Sequence, residues 1–211
     1  MSVRRFWFFV MGVVLSLIVV SCSTPTSAPV AQPTSTPAMQ ASAATAGEGD
    51  VTWQPDGVVT EGEYTNQVEI AGVTFAWKTD AEFLYGAMWA ETTGWVSVGF
   101  NPDNRMQGAD YIFGFVKDGE VFIADMYGTR PSGSDSHPPD TTLGGTDDIV
   151  AYGGSERDGI TLIEFKIPRD SGDAYDKPLT PGTHVLLTAY GRADDFNSGH
   201  VRRGAGQITL D

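Results

Sequence analysis

From Val51 to Asp211 no long segment carries apolar residues at helical spacing. Instead, short apolar or alternating runs recur between Gly, Asp, Asn and Pro. A helix needs a sustained period to bury one face, whereas a strand needs only a handful of residues between turn signals. Strands are therefore predicted at 67–70, 73–79, 83–91, 95–100, 111–117, 121–127, 149–156, 160–167, 184–191 and 206–210. Lys117-Asp118-Gly119-Glu120 and Arg157-Asp158-Gly159 place glycine where a tight hairpin requires positive φ. Two hairpins and no crossover helices point to an all-β fold, an antiparallel β-sandwich of about ten strands with immunoglobulin-like architecture. Phe83, Tyr85, Ala87 and Trp89 share one face of their strand, and Leu84, Gly86, Met88 and Ala90 the other. Both faces are apolar, so this strand is expected to be central.

The first 50 residues follow a different logic. Arg4 and Arg5 precede an apolar run, Phe6 to Val20, that is short for a bilayer span of roughly 20 residues. Val19-Val20-Ser21-Cys22 resembles a bacterial lipobox. Residues 1–21 are expected to be a lipoprotein signal peptide, and Cys22, the one cysteine of the chain, the lipidated residue. Residues 22–50 are Ser, Thr, Pro, Ala and Gln-rich, too polar to offset the entropy of ordering, and read as a linker. Residues 51–211 form the folded domain. This organisation implies an extracytoplasmic domain held to a membrane by lipid. Removing residues 1–21 takes away two of 13 Lys+Arg and none of 27 Asp+Glu, moving the net charge from −14 to −16. Such acidity argues against nucleic acid as a partner. It keeps a tethered domain soluble, or steers a basic redox partner.

Motifs for covalent c-type haem, zinc proteases, nucleotide loops and serine hydrolases are absent from the sequence. The three histidines are His137, His184 and His200. His184 opens a strand and reads as structural or exposed; His137 lies in a polar loop. Asp147-Asp148 and Asp194-Asp195 lack EF-hand spacing and read as solvated loops. Two irregular stretches stand out, 128–148 and 193–204. A third holds Met106, an apolar sulfur side chain in the polar loop that follows strand 95–100. Met106 and His200 are far apart in sequence, and only a tertiary fold brings them together. Thioether and imidazole are an axial pair for low-spin haem iron, in which the methionine raises the potential. Trp95, Phe100, Tyr111, Phe113 and Phe196 are available to wall a flat slot, and Arg202 or Arg203 to meet the propionates.

GWVSVGF (94–100) followed by RMQGADYIFGFV (105–116), VFIADMY (121–127) and AYGRADDFNSGHVRR (189–203) resemble the DOMON domain. The likeness runs from roughly Val58 to Leu210. It is to the family's b-type cytochrome branch, similar to the cytochrome domain of cellobiose dehydrogenase. The resemblance implies a β-sandwich with one non-covalent haem b, bound through the methionine before Gly-Ala-Asp and the late histidine, here Met106 and His200. It implies single-electron transfer to a partner protein, with no catalytic constellation in this chain. The family also contains modules thought to bind sugars, for which Trp53, Trp77, Trp89 and Trp95 are candidate stacking residues. A further likeness, to haem subunits of certain molybdenum dehydrogenases, implies a Met/Lys pair, with Lys177 as the lysine.

Overall fold

The computed structural model describes residues 51–133 and 135–211. The expected signal peptide, Cys22 and the linker lie outside the described residues. The elements are β1 (Asn66–Ile70), β2 (Val73–Thr79), β3 (Phe83–Ala90), β4 (Val96–Phe100), β5 (Asp110–Lys117), β6 (Glu120–Tyr127), a one-turn helix α1 (Asp140–Leu143), β7 (Ala151–Arg157), β8 (Ile160–Pro168), β9 (Gly182–Tyr190) and β10 (Arg202–Leu210). They pair into two five-stranded sheets, β1-β2-β3-β8-β7 and β10-β9-β4-β5-β6. All pairings are antiparallel. The all-β sandwich read from the sequence is the fold observed, and β3 is the central strand of its sheet.

Local chemistry explains the hairpins. Asp118-Gly119 and Asp158-Gly159 each place two residues at positive φ, 53° and 81° in the first and 54° and 76° in the second. That is the type I′ geometry whose twist matches paired strands. The β1–β2 turn does the same with Ala71 and Gly72, at 54° and 80°.

The main core lies between the sheets. Phe75 stacks on Phe165 at 6.2 Å and meets Phe100 edge-on at 6.1 Å, linking β2, β8 and β4. Leu84, Met88, Ile112, Ile163 and Leu186 fill the same layer. Burying each large side chain contributes roughly 1.5–3 kcal/mol. Here one expectation is corrected. Phe100, assigned to a ligand slot, is fully buried in this inter-sheet core. Strand alternation places it with Val96 and Val98 on the inner face of β4, opposite Trp95 and Ser97.

A segment preceding β1 is strapped to the first sheet through Glu164, a fully buried carboxylate. Gly57 N–H donates to its Oε2 at 2.7 Å, and the Tyr64 hydroxyl donates to Oε1 at 2.8 Å. Tyr64 in turn accepts from Trp53 Nε1 at 2.8 Å. Burial raises the Glu164 carboxyl above its usual range, and these two donors oppose the shift. Replacing Glu164 by Ala leaves two donors without an acceptor. The expected loss is about 3 kcal/mol, given that a bond to a charged group is worth about 1.5–3 kcal/mol. Urea unfolding of the variant measures it.

The outer face of the second sheet is also apolar. Trp95, Tyr111, Phe113, Phe115 and Met126 are buried there in a cluster separate from the main core. A sandwich sheet normally turns polar side chains outward. This one carries a second apolar layer, covered by loops, and that layer is the floor of the candidate site.

Candidate functional site

Trp95 and Ser97, Tyr111 and Phe113 of β5, Leu187 and Ala189 of β9, and Ala205 of β10 form the floor of a cavity of about 530 Å³. Three loops wall it: Arg105 and Met106 from β4–β5, Pro131 to Gly133 and His137 from the segment after β6, and Ser198 to His200 from β9–β10. Arg203 at the start of β10 also lines it. The register fixes how the loops arrive. Phe100 pairs with Leu186 and Val96 with Tyr190, so the β4–β5 and β9–β10 loops reach over the floor from opposite ends of the sheet. Met106 and His200 therefore share one cavity and enter it from opposite sides of the strand axis.

The floor is built by glycine opposite aromatic. A side chain at Gly99 would start 2.2 Å from the Tyr111 ring, and one at Gly191 would start 2.1 Å from Trp95 Nε1. Trp95 is locked in place by its indole N–H, which donates to Ser198 Oγ at 2.9 Å. This bond also ties the floor to the loop carrying His200. Trp95 and Phe113 pack at 5.0 Å between ring centroids, and Phe113 and Tyr111 at 5.6 Å. Burial raises the Tyr111 hydroxyl above its ordinary range.

The Met106 loop is a tight turn. Asn104 N–H donates to Gln107 O at 3.1 Å, and Gln107 N–H donates back to Asn104 O at 3.0 Å. Arg105, within the turn, sits at φ 58°. The loop is stitched to the chain after β6: Gly108 N–H donates to Gly128 O at 2.7 Å and Gly128 N–H to Ala109 O at 2.8 Å. Any Cβ at Gly128 would fall 1.9 Å from the Met106 carbonyl oxygen. Gly128→Ala is expected to push this loop outward at a cost of about 1–3 kcal/mol, the range for forced overpacking. A lower thermal midpoint checks it. Met106 is partly buried and packs against the outer apolar cluster.

His200 is exposed at the rim, and its Nε2 lies 3.0 Å from Arg203 Nη1. That nitrogen accepts from the guanidinium, so Nε2 carries a lone pair in this arrangement. His137 is half-buried and stacks on Phe113 at 4.7 Å. Burial lowers its pKa, and the nearby His200 lowers it further. His184 is structural: Asn101 Nδ2 contacts its Nδ1 at 2.8 Å and Thr180 O its Nε2 at 2.7 Å. The Asn101–His184 contact and Asn101 Oδ1, which accepts from Val185 N–H at 3.1 Å, hold Asn101 at the start of the Met106 loop.

Of the residues expected from sequence, Met106, His200, Trp95, Tyr111, Phe113 and Arg203 line the cavity. Phe100 does not, for the reason given above. Phe196 packs on Phe115 at 4.8 Å in the same outer layer, outside the cavity lining. Arg202 alternates to the other side of β10, beside Gly72 in the β1–β2 turn. Lys177 lies elsewhere, pairing with Asp103 at 3.2 Å, and is not a cavity residue. The four tryptophans do not share a platform. Trp77 is in the main core, Trp95 is in the cavity floor, Trp53 bonds Tyr64, and Trp89 is on the outward face of β3. Sequence reasoning missed His137 and Arg105. Arg105 adjoins Met106 and was within reach of that reasoning; His137 sits in a loop whose closure no local signal announces.

The family model for the DOMON domain matches residues 70–191, which include Met106 and end before His200. The protein "MOXD1 homolog 2" of Drosophila melanogaster is 32% identical over 116 residues, 54% of this chain and 14% of that protein's length. The cytochrome b domain of pyranose dehydrogenase from Coprinopsis cinerea aligns over 65% of this chain and 76% of its own, at 18% identity and TM-score 0.47. The cytochrome domain of Myriococcum thermophilum cellobiose dehydrogenase aligns over 66% and 75%, at 15% identity and TM-score 0.46. A family 9 carbohydrate-binding module from Caldicellulosiruptor kristjanssonii, solved with glucose, aligns over 76% and 92%, at 12% identity and TM-score 0.43. The family match covers more than half of the sequence, and the chain belongs to the DOMON family.

Proposed function

We propose that this domain is a b-type cytochrome that holds one non-covalent haem in the cavity on the outer face of the second sheet. Met106 and His200 are its axial ligands. The observation that carries the reading is their convergence. Two side chains far apart in sequence, a thioether and an imidazole, line one aromatic-floored cavity from loops at opposite ends of the sheet. The residues fit the group. A volume of about 530 Å³ falls within the roughly 300–1,000 Å³ of cofactor pockets. The floor is apolar and aromatic, and Arg105 and Arg203 on the lining offer two cations for two propionates.

A haem bound there supplies a one-electron couple. The chain's own residues set its surroundings. Met106 and His200 would hold the iron between them and leave no position for a substrate, which suits electron transfer. Trp95, Tyr111 and Phe113 exclude water from one side of the cavity. For His200 to ligate through Nε2, Arg203 must give up its present bond to that nitrogen. Turning toward a carboxylate gives the guanidinium a stronger, charge-assisted partner. Lipidation at Cys22 would hold the domain outside the cytoplasm, and its acidity would draw a basic redox partner.

Titrating haemin into haem-free protein tests this. Quenching of tryptophan fluorescence should saturate at one equivalent. Lack of uptake, together with sugar binding by calorimetry, would instead make the cavity a carbohydrate site.

A further inference from the structure

We propose that a second site, at the edge of the sandwich and separate from the haem cavity, binds one calcium ion through Asp110, Asp125 and Asp176, with Asp140 adjoining. This inference does not rest on the haem reading. Asp110 opens β5 and Asp125 is near the end of β6. Both point to the inner face, opposite Tyr111 and the cavity floor. Asp176 comes from the segment between β8 and β9. One carboxylate oxygen from each of the three lies within 4.8 Å of the others. Oxygens that share a calcium ion at about 2.3–2.6 Å stand at most about 5 Å apart.

The second observation is a set of buried carboxylate oxygens with nothing to accept from. Asp125 is 5% exposed, and its Oδ1 has no donor; Oδ1 of Asp176 has none either. Asp140 is 1% exposed, and both of its oxygens lack a donor. An orphaned buried carboxylate is costly, and charged ones more so. The basic side chains nearby are committed elsewhere. Arg169 donates to the carbonyls of Leu179, Asp80 and Asp211 at 2.9, 2.9 and 2.7 Å. The Lys177 ammonium goes to Asp103. Among the described residues no ion pair reaches the cluster.

A void of about 10 Å³ opens beside Asp110, Asp125, Asp148 and Asp176. That is roughly the space one water or ion needs. Left bare, Asp110 is held well above the ordinary carboxyl range, by burial first and by Asp125 and Asp176 next. A hard dication with six to eight oxygen ligands removes this repulsion and supplies the missing partner. Magnesium fits less well, because it demands a smaller octahedral shell and keeps its waters. The acidic cluster also borders two of the cavity walls. Asp110 ends the loop carrying Met106, and Asp140 follows His137 by three residues. Calcium at this corner would brace both.

Calorimetry and thermal melting of the full, EDTA-treated protein test the proposal, with calcium chloride and then magnesium chloride at matched ionic strength. Calcium should bind at one equivalent and raise the midpoint by several degrees, with magnesium giving a smaller shift. Asp125→Asn should melt no lower than the metal-free wild type, because it removes one acid from the buried cluster and keeps an acceptor for the Asp148 N–H, and should not respond to calcium. The proposal is overturned by a wild type that shows neither calcium heat nor a shift. It is equally overturned by a magnesium response as large as that of calcium, or by an Asp125→Asn variant that responds like the wild type.

Discussion

His200→Ala is expected to lose most of the haem taken up by the wild type and to remain folded. His200 is exposed and packs in neither apolar cluster, so removing it would take away the proposed ligand and one surface contact with Arg203. Losing an axial bond worth more than about 1.4 kcal/mol weakens binding by at least tenfold. The remaining site is a methionine over an aromatic floor, and a thioether alone is a weak anchor. Added imidazole should restore part of the low-spin spectrum by entering the space the side chain left. The haem content of protein expressed with haem supply measures the first effect, and a melt of the haem-free form confirms folding. Unchanged haem content and spectrum would remove His200 from the ligand set and turn attention to His137, which lines the same cavity.

Met106→Ala is expected to act differently: the variant should keep a haem, and its reduction potential should fall. The imidazole is the stronger anchor, whereas the thioether favours the reduced iron and so raises the potential. A fall on the order of 0.1 V is expected, a fraction of the roughly 0.8 V that axial ligation spans. Because Met106 packs only partly against the outer cluster, its loss should cost less than the roughly 2–5 kcal/mol of a core methionine truncation. Spectroelectrochemical titration of the two proteins side by side gives the shift. A potential equal to that of the wild type would mean that Met106 does not touch the iron.

The sandwich was legible because its signals are local. Alternation, Asp-Gly turns and the two-faced apolar pattern of β3 each report on a few neighbouring residues. β10 begins at Arg202, earlier than the expected Gly206: Arg202, Arg203 and Gly204 belong to a stretch that looks like loop. The reason for Gly204 and Gly206 is tertiary: a Cβ at either would start about 2.5 Å from Ile70, at 2.6 Å for Gly204 and 2.5 Å for Gly206. Glycine there lets the β1–β2 hairpin lie against the strand.

Phe100 fell to a rule already visible in its own strand. The alternation that puts Val96 and Val98 inside puts Phe100 with them, whatever the chemistry of the loop beyond. The same alternation separates Arg203, on the cavity, from Arg202, beside Gly72. That choice needed the register of β10 against β9, which Arg203↔Ala189 fixes. The acidic corner was illegible for another reason. Asp147-Asp148 read as solvated loop, and each remaining carboxylate looks ordinary in its own segment. The chain distributes them over β5, β6, α1 and the β8–β9 connection, so only the folded sheets reveal that they meet.

If Met106 and His200 bind iron from two sides, the visible spectrum of the purified protein will show it. Oxidised and then dithionite-reduced protein should show a Soret band that shifts on reduction, with sharp α and β bands of a six-coordinate low-spin haem. A colourless protein that takes up no haemin, or a reduced spectrum of an open, high-spin iron, would contradict it.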